Sequence, residues 1–149
     1  MTLKMCTVAL LLALVCLVAP GAEAGGFTVR DVDGPSAFNF DGFVFIGGTA
    51  VPAASTGRFT ADGRGNLTDG VRTLVVGGTP FEQTFTCTYT VNSNGTGHAD
   101  CVILPGPSNE SFDFVIVERK KEAFFTAVPP EPPLTGTPST IRGTTRRQQ

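Results

Sequence analysis

Apolar and polar side chains alternate with a period of two along much of the chain. In residues 81–91 the odd-numbered positions are mostly aromatic or aliphatic, whereas the even-numbered positions are Glu or Thr. Residues 111–118 alternate in the same way, with Phe112, Phe114 and Ile116 on one side. Because successive side chains of a β-strand point to opposite faces of a sheet, both segments are predicted strands with one buried face.

Two turns of similar sequence separate predicted strands. Residues 59–65 read Phe-Thr-Ala-Asp-Gly-Arg-Gly, and residues 89–95 read Tyr-Thr-Val-Asn-Ser-Asn-Gly. The shared pattern is typical of a three-residue hairpin loop, in which a type I turn is followed by a glycine with positive φ. Two such hairpins predict an antiparallel sheet.

The second turn sets the pairing of its two strands. With a loop at residues 93–95, Asn92 pairs with Thr96 and Cys87 lies opposite Cys101. Cβ atoms of directly opposite residues are about 4.5–5.5 Å apart, which a disulfide can close at a non-hydrogen-bonded pair. We therefore predict a Cys87–Cys101 disulfide, and the alternative is two buried free thiols.

The remaining segments also favour β-structure. Strands are predicted at residues 38–46, where Asp41-Gly42 is a candidate bulge, and on both sides of the first turn, at 57–61 and 67–76. A further strand is predicted at 123–128, and no window has helical periodicity. Short strands at regular spacing define an all-β class.

The C-terminal part allows two interpretations. The proline-rich segment 129–138 cannot join a central strand, because proline lacks the backbone donor. A disordered tail beyond it is one interpretation. The other is a closing strand at Thr140–Arg146, which has suitable β-branched content.

The first residues are predicted to be a cleaved signal peptide. Lys4 precedes an apolar run at 5–19 and an Ala22-Glu23-Ala24 cleavage motif, and the run is too short for a membrane span. We expect a secreted or periplasmic protein that does not span a membrane, with its remaining cysteines in an oxidising compartment. The predicted domains are a signal peptide at 1–24, an N-terminal extension at 25–37 and a β-domain at 38–147 that contains the loop 129–138.

Charge argues against nucleic acid as a partner. Residues 25–128 contain seven basic and eleven acidic residues, for a net charge of −4. A nucleic-acid-binding domain usually carries a basic patch or stripe. No nucleic acid partner is therefore predicted.

The turns and the C-terminus resemble a known group of proteins. Residues 57–67, residues 89–92 with Gly95-Thr96-Gly97, and the ending 143–148 are similar to those of small exported bacterial proteins of unknown function. That group resembles the calycin-type barrel of allene oxide cyclase. The resemblance implies a single antiparallel up-and-down β-barrel of about eight strands with a lined interior, and it favours the closing strand. It carries no catalytic residue onto this chain.

Candidate catalytic and metal-binding residues are few. His98 is the only histidine, and the hairpin register places it on the outer face opposite Thr90. Segments 62–66 and 92–96 are faintly similar to calcium loops, but they lack a terminal bidentate Glu, and Asx-capped turns explain them. We predict no catalytic residue, no metal site and no cofactor.

The barrel interior is the candidate ligand site. The register of the first hairpin puts Asp69 opposite Phe59, which would place a carboxylate inside. The alternative, which we favour, is an Asp69-Gly70 bulge that turns this side chain to water. The candidate ligand contacts are Phe40, Phe59, Asp69, Phe85, Tyr89, Phe112 and Phe114.

Two functions are expected from these observations. The first is non-catalytic binding of a small apolar molecule or a partner, which suits a phenylalanine-rich interior. The second, implied by the allene oxide cyclase resemblance, is an isomerase or cyclase that works largely by shaping its substrate. Fold analogy is weak evidence for chemistry, so binding is preferred.

Overall fold

The eight β-strands of the protein form one closed antiparallel barrel. The computed structural model describes residues 25–105, 108–130 and 136–149. Each strand pairs with its neighbours in sequence, and the last strand pairs with the first. The strands are β1 (Asp33–Ile46), β2 (Thr49–Asp62), β3 (Asn66–Val76), β4 (Thr79–Val91), β5 (Thr96–Leu104), β6 (Ser108–Glu118), β7 (Glu122–Val128) and β8 (Ser139–Arg147).

This architecture confirms the predicted all-β, up-and-down barrel. The closing strand is confirmed as well, since β8 pairs with both β1 and β7. The predicted signal peptide at 1–24 lies outside the described residues. Strand β1 begins inside the segment predicted as the N-terminal extension. Within the described residues, no helix is long and apolar enough to cross a membrane.

The β4–β5 hairpin has the predicted register. Cys87 pairs with Cys101, and Tyr89 pairs with Ala99 two positions nearer the turn. The two cysteines form a disulfide with an S–S distance of 2.02 Å. The turn residue Gly95 has a φ of 89°, as the hairpin loop requires. Local turn chemistry was therefore sufficient to predict both the strand pairing and the disulfide.

A bulge in β3 overturns the inward placement of Asp69. The pairing of β3 with β2 shifts between Arg58 and Thr60, and its pairing with β4 shifts between Leu67 and Gly70. Asp69 adopts a φ of 53° and is exposed. Asp69 is therefore not opposite Phe59, and the bulge interpretation is the correct one.

Strand β1 has no bulge at Asp41-Gly42, which corrects that candidate assignment. Its pairing continues without a shift along both β2 and β8. A Cβ atom at Gly42 would collide with the carbonyl oxygen of Thr140 on β8. The glycine thus permits a close approach of the first and last strands, which helps the barrel to close.

Residues 25–32, which we term the N-terminal plug, cover one end of the barrel. The plug contains a short 3-10 helix, Val29–Asp31. The Phe27 amide donates to the Ser93 carbonyl at 3.0 Å. The Phe27 ring lies 4.3 Å from the Arg119 guanidinium carbon, a cation–π contact. These contacts attach the plug to two turns at the same end of the barrel.

Tyr89 anchors the plug from inside the barrel. Its hydroxyl oxygen lies 2.7 Å from the carbonyl oxygen of Val32 and 3.0 Å from that of Val29. Burial raises the pKa of Tyr89 to about 12, because the phenolate form would lose its hydration. Tyr89 thus stays a neutral donor at ordinary pH and closes this end of the lumen.

Candidate functional site

The barrel interior contains an apolar, partly open cavity of about 100 Å³. Two clusters of buried side chains surround the lumen, one packed against Val29 and Val32 of the plug and the other containing Val44 and Ile141. The aromatic residues that line the cavity come from β1, β2, β4, β6 and β7. They are Phe38, Phe40, Phe59, Phe85, Tyr89, Phe112, Phe114 and Phe125.

Six of the seven predicted lumen residues line this cavity. They are Phe40, Phe59, Phe85, Tyr89, Phe112 and Phe114. Asp69 is the exception, because the β3 bulge directs its carboxylate to the outside. Contact of the six residues with a ligand stays a prediction.

Phe38 was missing from the predicted set, although it lies at the centre of the aromatic wall. Its ring centroid is 5.7 Å from that of Phe85 and 6.1 Å from that of Phe59. It also packs edge-on against Phe125 at 6.4 Å. Phe38 and Phe40 are two positions apart in one strand, so period-two alternation alone places both on the same face.

Arg72 brings a positive charge to the cavity wall. Its side chain is only 3% exposed, and it contributes to the lining. Its two Nη atoms donate to the Glu110 carboxylate at 2.7 and 2.6 Å, and its Nε donates to Gln83 Oε1 at 2.8 Å. The guanidinium carbon lies 5.8 Å from the Phe40 ring centroid. The pair links β3 to β6, so it spans the lumen.

Sequence reasoning favoured the bulge but missed Arg72, because it did not follow the effect of the bulge on the residues after Gly70. With Leu67 facing inward, unbroken alternation points Asp69 inward and Arg72 outward. The bulge reverses this order, so that Gly70, Arg72 and Leu74 face the interior. The sequence did contain one signal of the bulge. Leu67 and Leu74 are both residues typical of a core, but one is at an odd position and the other at an even position, so unbroken alternation cannot place both inside.

His98 forms a polar cluster on the outer surface. Its Nδ1 lies 2.7 Å from Asp113 Oδ1, and its Nε2 lies 3.2 Å from Asp100 Oδ1. The hydroxyl of Ser111 donates to Asp100, not to His98. His98 pairs with Thr90 as predicted. This arrangement does not activate Ser111 as a nucleophile, since the base would have to accept its proton.

The two carboxylates give His98 an elevated pKa. The main cause is the hydrogen bond to Asp113, and the bond to Asp100 acts in the same direction against partial desolvation. Both ring nitrogens face acceptors, which suits the imidazolium form. Among the residues that the structure describes, no group of His, Cys, Asp and Glu side chains is arranged to hold a metal ion.

We expect His98→Gln to flatten the pH dependence of stability near neutrality. The folded pKa lies above the unfolded value of about 6.5, so His98 stabilises the protein fully below that pH. This contribution, up to about 1 kcal/mol for a partly exposed pair, is lost as the pH rises through the folded pKa. Urea unfolding at several pH values measures it. The same neutral-pH slope in the variant and the wild type would contradict the prediction.

Comparison with known proteins supports the fold alone. No family model matches the chain, and no curated protein does. A solved structure described as EF1p2_mFAP2b bound to DFHBI is similar, with a TM-score of 0.52 and 14% sequence identity. The match covers 80% of this chain and 95% of that chain. At this identity the likeness shows a shared β-barrel fold.

Proposed function

We propose that the protein is an exported, non-catalytic β-barrel that holds one small apolar molecule in its lumen. The observation that carries the proposal is the aromatic cavity between the plug and the Arg72–Glu110 pair. An apolar cavity wall favours uncharged, poorly hydrated ligands, because a polar molecule would lose hydrogen bonds to water on entering. The solved barrel that is described as bound to DFHBI is consistent with this use of the fold.

The cavity volume limits the size of the ligand. An engineered apolar cavity of about 150 Å³ in another protein stays dry and binds benzene. The cavity here, at about 100 Å³, is somewhat smaller. We therefore propose a ligand of about the size of one small ring. This class also agrees with the phenylalanine rings of the wall, which offer flat apolar surfaces.

Export is the second part of the proposal. The Cys87–Cys101 disulfide suits an oxidising compartment, and the leader-like sequence at 1–24 supplies the route. The resemblance to small exported bacterial proteins with an allene oxide cyclase-like, calycin-type barrel supports the same assignment. We propose that the mature chain begins at Gly25, so that the plug is its first segment.

An isomerase or cyclase is the alternative function. The observation that favours it is Arg72, which brings a charged donor to an otherwise apolar cavity wall. Such a group can stabilise negative charge that develops on a substrate oxygen. If a molecule has the same mass but a rearranged covalent structure after incubation with the protein, compared with the molecule that was added, this alternative is favoured over plain binding.

Native mass spectrometry of protein purified from its own host tests both parts of the proposal. We expect a polypeptide that begins at Gly25 and a second species that carries one additional small molecule. Denaturation should release that molecule for identification. A soluble product that retains residues 1–24 would contradict export. If the purified protein carries no bound molecule, binding is tested by titration with an added probe.

The titration uses benzene as the probe and Ala99→Leu as the lumen variant. Ala99 is 6% exposed and lines the cavity, so the larger side chain fills ligand space. Val102→Leu is the matched control, because Val102 lies on the same strand and is 47% exposed. By NMR titration, we expect Ala99→Leu to bind benzene at least about tenfold more weakly, as blocking of the site implies. Equal binding by all three proteins would overturn lumen binding, and so would failure of the wild type to bind benzene and, likewise, cyclopentanone.

A further inference from the structure

We infer that the lumen selects a ligand with a neutral carbonyl oxygen, which accepts a hydrogen bond from Arg72. This inference rests on the proposed binding function and adds the chemical class of the ligand. It assigns Arg72 as the residue that determines specificity.

Arg72 has donors to spare inside the barrel. A guanidinium carries five N–H groups, and three hydrogen bonds from Arg72 are described, two to Glu110 and one to Gln83. Two N–H groups of the guanidinium remain, and no acceptor for them is described among the residues that the structure covers. Since the side chain is almost fully buried, a ligand oxygen is a suitable acceptor for them.

The other polar groups on the cavity wall are already engaged. The Tyr89 hydroxyl is directed at the carbonyl oxygens of Val29 and Val32. The Thr145 hydroxyl donates to the Ala37 carbonyl at 3.2 Å. Arg72 is thus the polar lining side chain that retains donors for a ligand, among the residues described.

The guanidinium is held in place before any ligand arrives. Glu110 binds it in a two-pronged arrangement, and Gln83 fixes the Nε side. Bidentate arginine–carboxylate pairs have defined geometry. A ligand oxygen therefore meets a donor that is already ordered, and less conformational entropy is lost on binding.

The charge of Glu110 decides between a neutral and an anionic acceptor. The carboxylate already compensates the positive charge of Arg72 at 2.6 Å. A second carboxylate, from the ligand, would bring an uncompensated negative charge into an apolar cavity, at high desolvation cost. A neutral ketone, aldehyde or ester oxygen accepts the hydrogen bond without that cost.

The test compares three small probes of matched size. Cyclopentanone carries the carbonyl, methylenecyclopentane replaces its oxygen by a CH₂ group, and isobutyrate carries a carboxylate. The variant is Arg72→Met/Glu110→Leu, which removes both charges together. A single Arg72 variant would leave Glu110 without its charged partner, which is strongly destabilising in a buried pair, whereas replacement of a whole pair by apolar residues is often tolerated.

We expect the double variant to lose at least about tenfold in affinity for cyclopentanone, as loss of a hydrogen bond from a charged donor implies. Its affinity for methylenecyclopentane should change by less than about threefold on the same scale. The infrared carbonyl stretch of bound cyclopentanone should lie at lower frequency in the wild type than in the double variant. This spectral shift reports the hydrogen bond itself, which a purely structural role of Arg72 would not produce.

Each outcome separates this inference from the binding proposal. If both cyclic probes bind and the double variant affects them equally, the carbonyl inference is wrong while lumen binding stands. Tighter wild-type binding of isobutyrate than of cyclopentanone would also overturn it, because the ligand would then displace Glu110. If no probe binds and benzene fails too, the binding proposal itself is wrong.

Discussion

Deletion of residues 139–149 is expected to abolish cooperative folding of the barrel. Strand β8 pairs with β1 from Ser36 to Val44 and with β7 from Glu122 to Thr126. It also contributes Ile141, which is 6% exposed, to the core. Its removal leaves two unpaired strand edges and opens the apolar interior to water, so aggregation should accompany the loss of structure. Circular dichroism melting and size-exclusion chromatography measure both effects.

The control for this truncation is deletion of Gln148 and Gln149. Both residues follow the end of β8. The Gln148 amide donates a hydrogen bond to the Pro35 carbonyl, and the deletion removes this bond. The short deletion should therefore retain a cooperative transition within a few degrees of the wild type, since one net hydrogen bond contributes about 1 kcal/mol. A cooperative transition of normal temperature in the long deletion would show that β8 is dispensable.

Loss of the disulfide in Cys87→Ala/Cys101→Ala should cost about 3 kcal/mol of unfolding free energy. The two residues are 14 positions apart, and closure of a loop of about 15 residues restricts the unfolded chain by about that amount. Both cysteines are buried in the core cluster beside the cavity, so the truncation also removes packing. Urea unfolding of the variant and the wild type gives the difference.

A matched control for this pair lies one position along the same hairpin. Thr86 pairs with Val102 on the outer face, and the variant Thr86→Ala/Val102→Ala removes cross-strand contacts without removing a covalent bond. We expect it to cost about 1 kcal/mol or less. Similar losses in the two double variants would contradict the assigned role of the disulfide. Thiol titration of unfolded, unreduced wild type should find no free sulfhydryl in the mature chain.

The hairpin that contains the disulfide was predictable because its determinants are local. The turn sequence at 93–95 defines the loop, and Gly95 adopts the required positive φ. Alternation then places Cys87 and Cys101 on the same face, directly opposite each other. Nothing distant is needed to set this register. The same local logic placed His98 outside and most of the phenylalanine wall inside.

The register of β3 was decided by tertiary structure. Local alternation alone pointed Asp69 into the barrel, whereas the Asp69-Gly70 dipeptide favoured a bulge, and the pairing with both neighbouring strands confirms the bulge. A shift of one residue exchanges the two faces of a strand. It therefore placed Asp69 in water and Arg72 inside, which changed the chemistry of the candidate site.

Residues close together in the chain specify the β-class, the strand pairing at the second turn and the disulfide, so these features could be predicted from local sequence. Two other features depend on contacts made in the folded barrel: the Arg72–Glu110 pair, whose partners are 38 positions apart, and the covering of one barrel end by the plug. The cavity volume was decided there too, because it depends on how rings from five strands pack around one axis. Such contacts exist only after the barrel has closed, so no local pattern encodes them.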